Sequence, residues 1–352
     1  MRTESMSLQE FAEAVREELD RVFSPGYMGV TPMIQPVEKI MGESYLGIRL
    51  DLGNEAASPV LNLEPYYQEM TEGVSLQKEL SRIKSDLADV MREVPEIPTG
   101  RVQNYEEMKD HLIMQVIPVK GNEERLKEMP HRKLEDMAVV YRVMLDSRPD
   151  GQMSLLVTNP VLQQYGVSQE QLEADAAAAM KQRNAYSIRP LREVLAGLLG
   201  PEGEEPDTGT GDVLYIATNP QSMYGAGVIA HPDFMRDAAE VMKGDFFILP
   251  SSIHEVLLFR DDGAADYRDL EAMVKDINAT QVEPKDRLTD TVYHYDTAEQ
   301  VFETAKDYAD RQADRGMQEK GSVLKDLSEN RKSAHDHPQK QKPLQDRGSM
   351  AL

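Results

Sequence analysis

Continuous apolar runs in this chain are no longer than a short strand, and between them apolar residues recur at helical spacing. Met137–Tyr141 and Phe246–Leu249 are among the longest, far below the ~18 residues of a membrane span. This alternation predicts a mixed helix-and-sheet fold. The first helix is marked by Ser7 and Glu10 at capping-box spacing and by a Met6–Phe11 staple. Phe11, Val15, Leu19 and Val22 share one face, and Ser24-Pro25-Gly26 ends it. Strand-like pieces at Ile34–Ile40, Tyr45–Leu50 and Val60–Leu63 predict a three-strand meander. Leu76, Leu80, Ile83, Leu87, Val90 and Val94 then predict a helix laid on that sheet, completing a first α+β lobe over residues 1–95.

Pro95–Gly100 reads as a linker, and Asn104 with Glu107 as the cap of a helical connector over 96–130. A second α+β lobe is expected over 131–315. Arg148-Pro149-Asp150-Gly151 supplies hairpin turn chemistry between Val139–Leu145 and Leu155–Thr158. Ser168 with Gln171 caps a helix, Pro232 and Gly244 bracket another, and Asp266 caps one carrying Leu270, Met273, Val274 and Ile277. Thr297 with Gln300 is read as the cap of a helix carrying Val301, Ala305 and Tyr308. Val213–Ala217, Phe246–Leu249 and Val256–Phe259 predict strands covered on both faces. Residues 200–211 hold turn formers and four acids without an apolar side chain, so a mobile loop is expected there. From Gly316 to Leu352 the apolar pattern collapses and a disordered tail is expected. The expected fold class is therefore α+β, two lobes each built on a small, mainly antiparallel sheet packed with helices, plus a disordered C-terminal tail. Leu156-Val157-Thr158-Asn159-Pro160 with Tyr165-Gly166 matches Ile216-Ala217-Thr218-Asn219-Pro220 with Tyr224-Gly225. Strand-ending chemistry explains that likeness without duplication.

The chain carries 39 Lys and Arg against 62 Asp and Glu, a net charge of −23. Residues 200–320 alone hold 26 acids and 11 bases, a net of −15. Such a field repels a phosphate backbone, so ordinary binding to nucleic acid is excluded. Zero Cys excludes disulfides, a thiolate nucleophile and Cys-ligated metal. The acidic first twenty residues lack the apolar stretch of a secretory signal. A cytoplasmic location without membrane contact is expected. Most of the 20 Met, among them Met180, Met242 and Met273, sit on apolar helix faces as core filling.

Pro250-Ser251-Ser252-Ile253-His254-Glu255 is the densest polar cluster. Ser251 or Ser252 with His254 and Glu255 would supply a nucleophile, a base and a carboxylate for hydrolysis. Consecutive strand positions point to opposite faces, however, and no Gly-x-Ser-x-Gly elbow is present. A hairpin turn with His254 leading its second strand accounts for the same residues. His254-Glu255 lacks a second His at zinc-protease spacing, Asp261-Asp262-Gly263 lacks the remaining calcium ligands, and Gly225-Ala226-Gly227 lacks the phosphate-loop Lys. No metal and no organic cofactor is indicated.

Several strings carry a resemblance: Leu134–Tyr141; Thr218-Asn219 with Tyr224-Gly225-Ala226; Leu249–Glu255; Met273-Val274 with Asn278; and Leu288-Thr289-Asp290 leading into Val292-Tyr293 and Tyr295-Asp296. Over about residues 7–310 the chain resembles an uncharacterised bacterial family of Gram-positive anaerobes, catalogued as a domain of unknown function, number fifty-six eighty-eight. The resemblance implies no activity and no site residues. The tail around Ser322-Val323-Leu324 is similar to tails on accessory proteins of mobile elements. The expected function is non-enzymatic: an acidic protein meeting a macromolecular partner, a basic protein by charge complementarity. The alternatives are a nucleic-acid mimic that blocks a DNA-binding protein, and a hydrolase using Ser251, Ser252, His254 and Glu255. The sequence fixes no oligomeric state.

Overall fold

A computed structural model describes residues 6–23, 30–38, 44–51, 60–93, 99–148, 151–183, 186–199, 214–220, 222–250 and 252–318. The acidic loop 200–211, Pro149, Asp150, Ser251 and the tail from residue 319 lie outside the described residues. The fold is α+β, with every paired strand antiparallel.

α1 (Leu8–Phe23) starts at the expected box: the Glu10 N–H donates to Ser7 Oγ at 3.3 Å, and the Ser7 N–H donates to the Glu10 carboxylate at 2.8 Å. β1 (Thr31–Glu38), β2 (Ser44–Asp51) and β3 (Val60–Asn62) form the meander, with Ile34 opposite Ile48 and Ile48 opposite Leu61. α2 (Glu64–Thr71), which the sequence did not announce, and α3 (Leu76–Glu93) complete this unit. Phe11, Val15, Leu19, Ile48, Leu63, Ile83 and Leu87 form its core, to which, among the described residues, only those from Met6 to Leu87 contribute. Burying each such side chain is worth about 1.5–3 kcal/mol, so the meander and its helices hold together by their own apolar faces.

α4 (Thr99–Val102) and α5 (Tyr105–Met108) are single turns, the second capped by Asn104 Oδ1, which accepts from the Glu106 N–H. The segment expected to be wholly helical then departs from expectation. β4 (Leu112–Pro118) is a strand, and α6 (Glu123–Leu126) is one more turn. β4 pairs along its length with β6 (Met137–Arg148), which also carries β5 (His131–Leu134) and β7 (Gly151–Leu156). β-branched Ile113, Val116 and Ile117 favour that pleated surface over a helix. α7 (Asn159–Tyr165) follows, and α8 (Gln169–Gln182) starts at Ser168, whose hydroxyl accepts from the Gln171 N–H.

The second sheet has six strands in the order β13-β12-β10-β11-β9-β8: β8 (Ser187–Pro190), β9 (Leu214–Thr218), β10 (Phe246–Leu249), β11 (Val256–Arg260), β12 (Tyr293–Asp296) and β13 (Val301–Thr304). α9 (Leu191–Leu199), α10 (Phe234–Met242), α11 (Tyr267–Thr280) and α12 (residues 305–318) surround it. Asp266 caps α11 as expected, its carboxylate accepting from the Arg268 N–H. Thr297 and Gln300 do not cap a helix. They lie in the turn between β12 and β13, with Gln300 at φ 57°, and α12 instead starts after Thr304, whose hydroxyl accepts from the Asp307 N–H. α12 includes Gly316 and is described through residue 318, so the first residues of the expected tail are helical.

Side-chain alternation divides these sheets between cores. Phe246 and Ile248 of β10 enter one cluster together with Met114, Val116, Val139 and Tyr141 of the four-stranded sheet. Phe247 and Leu249 enter another with Leu270, Val274 and Ala305. The apolar runs of β10 and β11 are thus covered on both faces. Two residues read as core are not: Val22 is 46 % and Met273 38 % exposed, since each sits at the margin of its helix stripe.

Candidate functional site

Pro250–Glu255 joins the antiparallel pair β10–β11, as a hairpin reading expects, but His254 stands in a bend and the second strand starts at Val256. The segment pairs outward. Ser252 bridges Arg287, and the Ile253 N–H donates to the Asp286 carbonyl at 2.8 Å. Ser252 is buried, and its hydroxyl accepts from the His254 main-chain N–H at 3.0 Å. The His254 ring is engaged elsewhere. Its Nδ1 accepts from the Tyr224 N–H at 3.4 Å, which leaves the proton on Nε2, 3.5 Å from Asp286 Oδ1. Half-buried Glu255 makes no hydrogen bond or ion pair among the described residues. The structure therefore brings Ser252 to the backbone of His254 and Asp286 to its ring, and does not join the Ser252 hydroxyl to the imidazole.

The partner segment is the second copy of the Thr-Asn-Pro string. Thr218 Oγ1 donates to the His254 carbonyl at 2.7 Å, and the Ala226 N–H donates to the Ile253 carbonyl at 3.2 Å. Asn219 ties the loop to itself through both amide atoms, with Nδ2 donating to the Met223 carbonyl at 2.7 Å. A Cβ on Gly225 would overlap the His254 carbonyl and Thr218 Oγ1, so only glycine permits this approach. Ser222 and Tyr224 take the left-handed conformation, at φ 52° and 55°. Such residues cost of order 1–3 kcal/mol each and persist where surrounding bonds impose them. In the first copy, by contrast, Gly166 itself takes φ 68° as a helix C-cap, with open space around it. The same letters solve two different problems, so the strings mark no structural duplication.

Tyr224 is thereby held in a column. Its ring stacks on His254 with centroids 6.3 Å apart, and the Arg142 guanidinium lies 4.8 Å from its centroid on β6. Arg142 Nε donates to Gln115 Oε1 at 2.7 Å and Nη1 to Ser154 Oγ at 2.8 Å. Burial pushes this guanidinium below its ordinary range.

A second junction joins two more of the strings. Asp136, in the β5–β6 turn, accepts from Thr289 Oγ1 at 3.0 Å, from Thr291 Oγ1 at 2.9 Å and from the Tyr293 hydroxyl. Burial, then the Asp136 charge, raises the Tyr293 hydroxyl far above its ordinary value, so it stays a donor. Asn278 Nδ2 reaches the Thr289 carbonyl at 3.0 Å and Asp290 Oδ1 at 2.7 Å. Strings that carry the resemblance are thus contact partners of one another.

The sequence model of a family of unknown function, DUF5688, matches residues 8–297. The chain belongs to the DUF5688 family. No curated protein and no solved structure matches it. The DUF5688 match ends in the turn between β12 and β13, so α12 lies beyond it.

On the outer face of the DUF5688 second sheet lies a site that sequence reasoning missed. Buried His294 of β12 places Nε2 3.0 Å from Asp261 Oδ2, and Tyr308 of α12 stacks on its ring at 3.6 Å. The His294 bond, with the Gly263 N–H, holds the Asp261 carboxyl below the ordinary carboxylate range. Beside this pair opens a cleft of about 480 Å³, lined by Phe247, Asp261, Asp266, Tyr267, Arg268 and Tyr308 among others. The only sequence signal was the spacing of single polar residues in apolar strands, and their pairing is 33 residues apart. Among the described residues no three His, Asp or Glu side chains are placed to hold a metal ion, and no helix is long and apolar enough to cross a membrane.

Proposed function

We propose that this chain is a non-enzymatic, cytoplasmic interaction protein that docks a basic protein segment at the cleft between residues 261–268 and α12. The observation that carries this reading is the acidic segment that forms one side of the cleft and continues from it. Asp261 and Asp266 line the cleft with Arg268, and residues 261–280 as a whole hold Asp261, Asp262, Asp266, Asp269, Glu271 and Asp276 against only Arg268 and Lys275. Asp262, Asp266 and Asp269 are exposed, and Phe247, Tyr267 and Tyr308 supply aromatic lining. Carboxylates beside aromatic faces suit a guanidinium or ammonium, which gains from both the charge and the ring quadrupole. The chain already contains a small example: exposed Arg268 covers Tyr267 at 5.2 Å while its Nη1 meets Asp266 at 3.4 Å. A partner's Arg would make the same contacts with more surface buried.

The test is fluorescence anisotropy with a labelled Arg/Lys-rich peptide and a Glu-rich control of equal length. Binding of the basic peptide alone is expected, weakening about tenfold or more from ~0.05 M to ~0.3 M salt. The triple variant Asp262→Asn, Asp266→Asn, Asp269→Asn should lose most of that affinity. Asn retains the α11 cap, so the helix survives the change. Absence of binding at low salt, or equal binding by the triple variant, would overturn the reading.

A further inference from the structure

Buried or half-buried charges in proteins are normally paired, because removing an ion from water costs several kcal/mol unless an opposite charge or full hydrogen bonding offsets it. Arg142 departs from that rule. It is half-buried on β6, and its two protein hydrogen bonds go to neutral oxygens, Gln115 Oε1 and Ser154 Oγ. Gln115 is itself buried, so this anchor is built rather than incidental. No carboxylate pairs with Arg142 among the described residues, and Nη2 makes no hydrogen bond there. Its remaining donors therefore form the free edge of the guanidinium fork, the edge that matches two oxygens of an oxyanion.

Tyr224 closes one face of that fork, 4.8 Å away, and is kept there by the same loop that forms the junction with Ile253 and His254. Two non-glycine residues in the left-handed region, an Asn219 side chain tied to Met223, and a glycine pressed against the His254 carbonyl together fix the place of this ring. An aromatic ring over a guanidinium orients it and shields it from water, which strengthens a charge-assisted bond at its edge. The loop around Tyr224 and the unpaired cation of β6 are 82 residues apart in the sequence and converge on one point.

We propose that Arg142, oriented by Tyr224, is an anion-binding site whose ligand is a carboxylate. A monoanion is favoured over phosphate for an electrostatic reason. Asp286 stands beyond His254 in the same column, and the chain carries a net charge of −23, so each added ligand charge meets further repulsion. This site is separate from the cleft at α12, and neither needs the other.

The probe is acetate, titrated into the full isotopically labelled chain at constant ionic strength, with phosphate as the comparison. Saturable shifts of the Tyr224 and Gly225 amides are expected with acetate, and several-fold weaker ones with phosphate. Arg142→Lys keeps the charge but loses the planar fork, and should weaken acetate binding about tenfold or more without disturbing amides elsewhere. Arg142→Gln should abolish it; if that variant fails to fold, the Lys variant and the wild-type titration still decide. No saturable shift in the wild type, an undiminished response in Arg142→Lys, or a preference for phosphate would each overturn the assignment.

Discussion

His254 and His294 each face an aspartate at the second sheet, yet the two pairs sit in opposite surroundings. The His294 and Asp261 side chains are 0 % and 12 % exposed and lie 3.0 Å apart, whereas His254 and Asp286 are 29 % and 26 % exposed and 3.5 Å apart. His294 has Nδ1 buried without a partner, so its one strong bond carries the ring. His254 has both nitrogens loosely engaged and its main chain tightly held, by Thr218 on the carbonyl and Ser252 on the N–H. In the first region a side-chain pair supports the fold. In the second, a backbone junction does so, and the side-chain pair is longer and more exposed.

The glycines sharpen this contrast, and Gly225 should give the largest effect. Gly225→Ala forces a Cβ into the His254 carbonyl and Thr218, two atoms fixed by the sheet, so about 3 kcal/mol should be lost in urea unfolding. A loss under ~0.5 kcal/mol would show that the junction yields, and the contrast would collapse. Next comes Asp261→Ala, which strands the His294 Nε2–H in a dry site and should cost about 2 kcal/mol. Gly263, at φ 80° with open space around it, needs only its backbone freedom, so Gly263→Ala should cost about 1 kcal/mol. Asp286→Ala removes a half-exposed partner at 3.5 Å and should change stability by less than ~0.5 kcal/mol. If the two Asp→Ala variants proved equally costly, burial would not be what separates the regions.

How much of this was legible follows the range of the interactions. Ser7, Asn104, Ser168 and Asp266 cap helices from within one turn of chain, and each was readable from its neighbours. Thr297-x-x-Gln300 carried the same capping signature and failed, because pairing of Tyr293 with Thr304 turned the segment into a hairpin. Leu112–Pro118 departs for a similar reason: a short apolar run reads alike in a helix and a strand, and its register partners on β6 lie 19 to 31 residues downstream. At the candidate site the Pro250–Glu255 string was visible, but its contacts were not. Arg142 sits in a strand that reads as core, Tyr224 in a turn, and the register that stacks them is a property of two sheets together.

Acid pH supplies the finest test of the buried pair. Because the His294 bond and the Gly263 N–H keep the folded Asp261 carboxyl below its ordinary value of 3.8, the unfolded chain takes up that proton first. The stability this pair contributes is therefore complete above the ordinary value and declines as pH falls through the lower, folded one. Its contribution to the slope cannot exceed the ~1.4 kcal/mol per pH unit that one proton permits. In Asp261→Asn, unfolding measured from pH 5 down to pH 2 should follow a shallower course than in the wild type. Parallel curves for the two proteins would mean that Asp261 titrates alike folded and unfolded, and that the buried pair holds the outer face by packing of Tyr308 and Phe247 on the ring rather than by charge.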